Sequence, residues 1–360
     1  MPLRFDLHNH TRESDEPPDH WFPRWMGSQE CHIRPHDSYY QATRVRGLDG
    51  MAITNHNSVE DALRMQALHP ETVIAGCEYT VGGGEGYTIH VVVLDLDGPL
   101  HERFSRTRHQ GLGPFMREVR EADRPAFLAH VAWDYLCTKE LTPAVVESWL
   151  APFDLIETRN STRMLENTFA AKLARYYGKV GVGGSDGHNL DQIGRAWTES
   201  PTARTKREFL DDLKAGRVRA GGEYGSVRRF EATIRDLIRG FYRKEIEKVR
   251  SAESLGEYLA RARLQDLLRN AVEIFILPHL LWLPRTGSIR HMREMQQTAI
   301  RLEREFLDYL LARETDRILR SDATPAARRE EWSRAVRRIH EAFEPAGEEE
   351  IEMDHLHLPS

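Results

Sequence analysis

The feature that most constrains this chain is an alternation running through its first 220 residues. Short runs rich in Val and Ile recur between stretches with helical patterning. The runs fall at residues 3–7, 50–54, 72–76, 89–94, 126–130, 154–157 and 180–184, and their length and β-branched content predict strands. The helical stretches fall at 37–46, 58–67, 113–122, 142–150, 164–177 and 205–215. Strands alternating with helices imply parallel βα units. Seven of them fit a barrel, in which chemistry gathers at the C-terminal ends of the strands. After Gly221 and Gly222 the pattern changes. No strand run follows, and apolar residues recur at helical spacing, as in Phe230, Ile234, Leu237, Ile238 and Phe241, and again in Leu302, Phe306, Tyr309 and Leu310. The expected organisation is an α/β barrel over 1–222, an all-α domain over 223–345 and an acidic, loose tail over 346–360.

Composition narrows the partners. Of 360 residues, 40% are hydrophobic, enough for a sizeable core. The net charge of −6 leaves no global basic field to recruit nucleic acid. Cys31, Cys77 and Cys137 lie far apart and are odd in number, so no disulfide framework is expected, and a reducing, cytoplasmic setting fits. The N-terminal MPLRFDLHNH lacks the apolar run of a secretory signal. The most apolar segment, residues 274–284, holds His279 and two prolines and is too short to span a bilayer. It fits either an oligomer surface, which would make a homo-oligomer through the helical domain, or a domain core.

Seventeen histidines are present, and many fall where predicted strands end. His8 and His10 stand two residues apart as the first run ends, so both imidazoles leave one face. Asp15 follows in the next loop. His56 and Glu78 come just after the second and third runs, and His90 and His130 mark the start of one run and the end of another. Asp186 and His188 repeat the two-residue spacing after residues 180–184. Imidazoles with carboxylates suit Zn, Mn or Fe, and nine ligands exceed what one ion takes.

The segments DLHNHTRESD, AITNHN, GCE, IHVVVL, AHV and GSDGH, in this order, resemble the polymerase-and-histidinol-phosphatase (PHP) domain. The resemblance covers about residues 3–222. It implies a distorted (β/α)7 barrel with a multinuclear metal site and phosphoesterase chemistry. It further implies that His8, His10, Glu78 and Asp186 hold one ion, that Glu78 bridges to a second completed by His90 and His130, and that Asp15, His56 and His188 hold a third. Two departures stand out. The usual TDH is Thr54-Asn55-His56, exchanging a carboxylate for an amide, and the usual AHP is Ala129-His130-Val131.

Two or three divalent ions so held would activate water for attack at phosphorus, with Glu78, His130 and Asp186 at the reacting centre. A small phosphomonoester or nucleotide is the expected substrate. The alternatives are an exonuclease-like phosphodiesterase on short oligonucleotides and a non-catalytic metal-binding module. Guanidinium suits phosphate, and Arg159, Arg195 and then Arg12 are the candidates. Ser185 reads as a turn hydroxyl, Gly82-Gly83-Gly84 as a hairpin and Cys77 as packing. Trp21, Phe22, Trp25 and Tyr39 form either a wall beside the metals or ordinary packing. The basic run from Arg228 to Lys248 is interleaved with acids and reads as a salt-bridged helix surface.

Overall fold

The computed structural model describes residues 2–14, 31–84, 86–131, 141–226 and 283–344, with residues 229 and 232. Asp15, Trp21, Phe22, Trp25, Cys137, His279, the stripe from Phe230 to Phe241, most of the basic run and the acidic tail lie outside the described residues.

All seven predicted runs form strands: β1 (Leu3–Asp6), β2 (Gly50–Ile53), β3 (Val73–Gly84), β4 (Tyr87–Leu94), β5 (Ala126–Leu128), β6 (Leu155–Asn160) and β7 (Val180–Gly184). Two more, β8 (Ala196–Ser200) and β9 (Arg219–Gly222), join them in one sheet of order β7-β6-β5-β4-β3-β2-β1-β8-β9. The sheet wraps into a nearly closed barrel. At the seam the Thr198 hydroxyl staples β8 to β7, accepting the Gly183 amide at 2.8 Å and donating to the Gly183 carbonyl at 2.9 Å.

Alternation of strands and helices predicts parallel neighbours, and β1, β2 and β3 are parallel, as are β5, β6 and β7. Between the two blocks β4 runs antiparallel to both β3 and β5. The reason is local: β3 runs through Gly82-Gly83-Gly84, with Gly82 paired to Thr88 and Gly84 to Tyr87, so the chain turns directly into β4, and a hairpin reverses direction where a crossover helix would preserve it. β8 and β9 are also antiparallel to their neighbours.

The helices on the barrel are α1 (Pro35–Tyr40), α2 (Glu60–Leu68), α3 (Gly98–Thr107), α4 (Leu112–Glu121), α5 (Pro143–Leu150), α6 (Leu165–Tyr177) and α7 (Lys206–Lys214). The two faces of each strand enter two different cores. Met51, Ile53, Val73, Ala75, Val91 and Val93 face outward into a cluster shared with the helices. Ala52, Ile74, Val92 and Leu94 face inward, with Phe5, Phe127, Leu155 and Val182. α7 plugs the lower end of this interior, with the Phe209 ring tilted against Phe5 at a centroid distance of 4.6 Å. Thr205 caps α7 by accepting the Glu208 amide.

Beyond the barrel lie α8 (Leu283–Leu319) and α9 (Pro325–Phe343), the helical region that the spacing predicts. Leu302, Phe306 and Leu310 are fully buried, in the same outer cluster as Phe169 of α6. Glu147 of α5 accepts the hydroxyls of Tyr177 and Tyr309 and pairs with Arg313, so α8 is tied to two barrel helices at one carboxylate. No described helix is long and apolar enough to cross a membrane.

Candidate metal centre

The inward face of β3 and β4 turns from apolar to ligating as it climbs. On β3 the sequence on that face is Ile74, Gly76, Glu78; on β4, antiparallel, it is Leu94, Val92, His90. Glu78 and His90 therefore come from within a hairpin and not from just past two parallel strands. Antiparallel pairing still brings the start of β4 to the same rim as the ends of its neighbours. His8 and His10 follow β1, His56 follows β2, His130 follows β5, and Asp186 and His188 follow β7.

Glu78 lies at the centre with no solvent exposure. Its Oε2 is 2.9 Å from His8 Nε2, 3.1 Å from His10 Nε2 and 3.4 Å from His56 Nδ1. Its Oε1 is 3.0 Å from His90 Nδ1 and 3.1 Å from His130 Nε2. Asp186 Oδ1 completes one side, 3.3 Å from His10 Nε2 and 3.7 Å from both His8 Nε2 and His188 Nδ1. Three overlapping groups have ligand atoms close enough for one ion each: His8, His10, Glu78 and Asp186; His56, Glu78 and His90; and His10, His56 and His188. The first coincides with the set that the PHP resemblance implies. The other two share members differently from that resemblance, since His56 faces Glu78 and His90 as well as His188.

The donor set fits divalent ions. The imidazole nitrogens of His8 and His10 face each other at 3.3 Å, with carboxylate oxygens on either side, an arrangement that suits a cation between them. Deeper groups orient the ligands. His8 Nδ1–H donates to Glu157 Oε1 at 2.9 Å, which leaves Nε2 directed at Glu78. Glu157 Oε2 accepts the His130 amide and Asn160 Nδ2, and the same Nδ2 reaches Asp186 Oδ2 at 3.1 Å. Asn55 accepts the Thr11 amide and donates to the Thr11 hydroxyl, while that hydroxyl donates to Asp61. The amide at position 55 thus clips the loop after β1 to the loop after β2.

Backbone geometry at the rim is unusual. His130 and Asp186 adopt positive φ, 26° and 50°, conformations that non-glycine residues hold only when their surroundings over-determine them. Gly184 allows β7 to approach β1, because a Cβ there would collide with His8.

Burial and charge oppose each other throughout. Burial disfavours protonated His8, but the carboxylates of Glu78, Glu157 and Asp186 outweigh it and raise its pKa well above the usual 6.5. Burial likewise disfavours ionised Glu78, yet His8, His56 and His90 hold its pKa well below 4.5. Asp186 is held low in the same way by His8 and Arg163. His130 is lowered, chiefly by burial. Asp6, beneath the cluster, is pushed up to about 6 by burial despite accepting the amides of His8, Ser185 and Gly194.

The other candidates fall elsewhere. Arg195 pairs with Asp191 and Glu223, and Arg159 lies 3.8 Å over the Tyr224 ring. Neither bonds a candidate ligand among the described residues. Arg12 is exposed. Arg163 does reach the cluster, 3.0 Å from Asp186 Oδ2, and sequence reasoning passed over it, as it did Glu157. Glu157 was visible as an acid ending a predicted strand, the same signal that marked Glu78; Arg163 had no signal but its place in a loop beyond β6. Ser185 is a buried turn hydroxyl accepting the Arg195 amide. Tyr39 stacks on His69 and bonds Thr72, which is packing. Cys31 and Cys77 are buried and free of disulfides.

A family model described as PHP-associated matches residues 165–218, from the start of α6 to just before β9. No curated protein matches the chain. Among solved structures, a two-domain protein containing a predicted PHP-like metal-dependent phosphoesterase from Bacteroides vulgatus is 19% identical, over 68% of this chain and 70% of that one, with a TM-score of 0.46. The lesion-specific endonuclease PfuEndoQ from Pyrococcus furiosus is 13% identical, over 61% and 58%, with a TM-score of 0.42. An amidohydrolase from Chromobacterium violaceum is 17% identical, over 58% and 96%, with a TM-score of 0.38.

Proposed function

We propose that this chain, whose residues 165–218 match a PHP-associated family model, is a PHP-type metal-dependent phosphoesterase acting on a small phosphomonoester or nucleotide. The observation that carries this reading is that, among the described residues, two histidine and carboxylate groups share Glu78 inside the barrel mouth and a third, of His10, His56 and His188, overlaps both. Two or three Mn, Zn or Fe ions held there supply an activated water and charge neutralisation at phosphorus.

The chain's own residues have distinct parts in this reading. His8, His10, Glu78 and Asp186 would hold one ion, and Glu78 with His90 and His130 would hold a second. His56 and His188, with Asp15, would hold a third. Glu157 fixes the His8 tautomer and the His130 backbone together. Arg159 is the guanidinium offered to a substrate phosphate, since its stacking on Tyr224 orients the fork without neutralising it. Arg195, already shared by two carboxylates, ranks behind it. The buried thiols of Cys31 and Cys77, which form no disulfide among the described residues, accord with a reducing, cytoplasmic setting. The described stretches fit a barrel domain to residue 222 with helices beyond it.

The test is release of inorganic phosphate from a panel of nucleotides and sugar phosphates by protein stripped of metal and reloaded with Mn, Zn or Fe. Release that chelator abolishes and reloading restores is the expected result. Cleavage of short oligonucleotides without phosphate release would move the substrate to a diester, and no hydrolysis of any phosphoester by loaded protein would overturn the reading.

A further inference from the structure

The two oxygens of Asp186 face different worlds. Oδ1 points to His8, His10 and His188. Oδ2 points away and accepts from Asn160 Nδ2 at 3.1 Å and Arg163 Nη2 at 3.0 Å, with the Thr162 hydroxyl a weaker neighbour at 3.2 Å because its one proton lies closer to Asn160 Oδ1, at 2.6 Å. The Arg163 side chain is 9% exposed, and its backbone carbonyl is fixed by the Gly225 amide and Asn167 Nδ2. The backbone that carries Arg163 is therefore fixed independently of the carboxylate its side chain touches.

Resting on the metal-centre reading above, we propose that Arg163 is a positioning residue that keeps Asp186 a one-oxygen ligand, and so sets which divalent ion the His8–His10–Glu78–Asp186 group prefers. A carboxylate can offer an ion one oxygen or both. With Oδ2 occupied by two donors, one of them charged, and crowded by the Thr162 hydroxyl, only Oδ1 is available. One carboxylate oxygen from Asp186 keeps the coordination number low, which suits Zn; a second oxygen adds a hard donor and suits Mn. The positive charge of Arg163 weakens binding of every divalent ion alike, so it cancels in a ratio of affinities. Occupation of Oδ2 does not cancel.

The experiment compares wild-type protein with Arg163→Met, Arg163→Lys and Thr162→Val, titrated with Zn and with Mn, and records the visible absorption of the cobalt-loaded forms. In Arg163→Met the ratio of Zn to Mn affinity falls about tenfold, within the range for outer-shell partners of metal ligands, and the cobalt bands weaken as coordination number rises. Arg163→Lys, which retains charge and a donor, restores most of the ratio. Thr162→Val, which removes the weaker hydroxyl contact to Oδ2, shifts it the same way by less and serves if Arg163→Met fails to fold. An unchanged ratio and cobalt spectrum in both Arg163→Met and Thr162→Val overturns the proposal while leaving the metal centre standing. Wild-type protein that takes up none of the three ions overturns the metal centre, and the proposal with it.

Discussion

Within one set of strands, the end plugged by α7 and the end that carries the histidines are both largely buried and chemically opposite. The lower end is built of Phe5, Ala52, Ile74, Leu94, Phe127, Leu155 and Phe209. The upper end packs His8, Glu78, Glu157 and Asp186, each 2% exposed or less. Burying apolar area is favourable and indifferent to direction. Burying charge is costly unless each group meets its counterpart. At the upper end every contact is directional, and each carboxylate is shared among several donors. The lower end holds the barrel together; the upper end is an array of opposed charges whose geometry matters more than its volume.

The sharpest way to separate the two ends is to cut into each. Phe209→Ala should destabilise the protein by about 3–5 kcal/mol through the cavity it leaves, while ion content per folded molecule stays unchanged; denaturant unfolding and elemental analysis read the two quantities. Glu78→Gln should do the reverse. It should remove ions from two sites together and lower hydrolysis by about 10²–10³-fold, since metal-based charge stabilisation is worth several kcal/mol. His188→Ala should mainly empty one site, and equal metal loss in both variants would break the bridging role of Glu78. Next in size, Glu157→Gln should weaken ion binding by about 10- to 100-fold without touching a direct ligand, as read by competition with a chelator.

The smallest expected effect is on pH dependence of the metal-free protein. His8 has a raised pKa in the fold, so its contribution to stability is full below 6.5 and is lost as pH rises through the folded value. Glu78 and Asp186 have lowered values, so theirs is present above 4.5 and 3.8 and is lost as pH falls through the folded values. These three groups together favour a thermal midpoint of metal-free protein that is highest between pH 4.5 and 6.5, set against buried Asp6, whose raised value takes stability away as pH rises from 3.8 through about 6. Phe209→Ala should lower the whole curve without moving its peak; a moved peak would mean the two ends are not independent.

The same contrast explains what the sequence discloses. Strands buried on both faces are near-continuous apolar runs, and so all seven runs were visible. β8, whose residues alternate between buried and partly buried, and β9, which ends in two glycines, carry no such signal. Eight of the proposed ligands could be placed because they stand at or near the ends of strands, although the hairpin puts Glu78 and His90 within strands instead. Asp15 lies outside the described residues. Glu157 and Arg163 were harder, because what marks them is a partner far along the chain. His8 and Glu157 are 149 residues apart. No local spacing reports that distance.

One consequence of the barrel's seam concerns time. Asp6, at the end of β1, accepts the amide of Ser185, 179 residues later, at 2.7 Å. The upper end is thus assembled from the first and the seventh strands, and it does not exist until both are in place. Contacts between such distant residues carry a loop-closure cost that local helices and the β3–β4 hairpin avoid. A nascent chain emerging from the ribosome would hold the hairpin's Glu78 and His90 long before Asp186 is made. Capture of an ion by the full set is therefore an event of late folding, and loading rate would report when the ring of strands has closed.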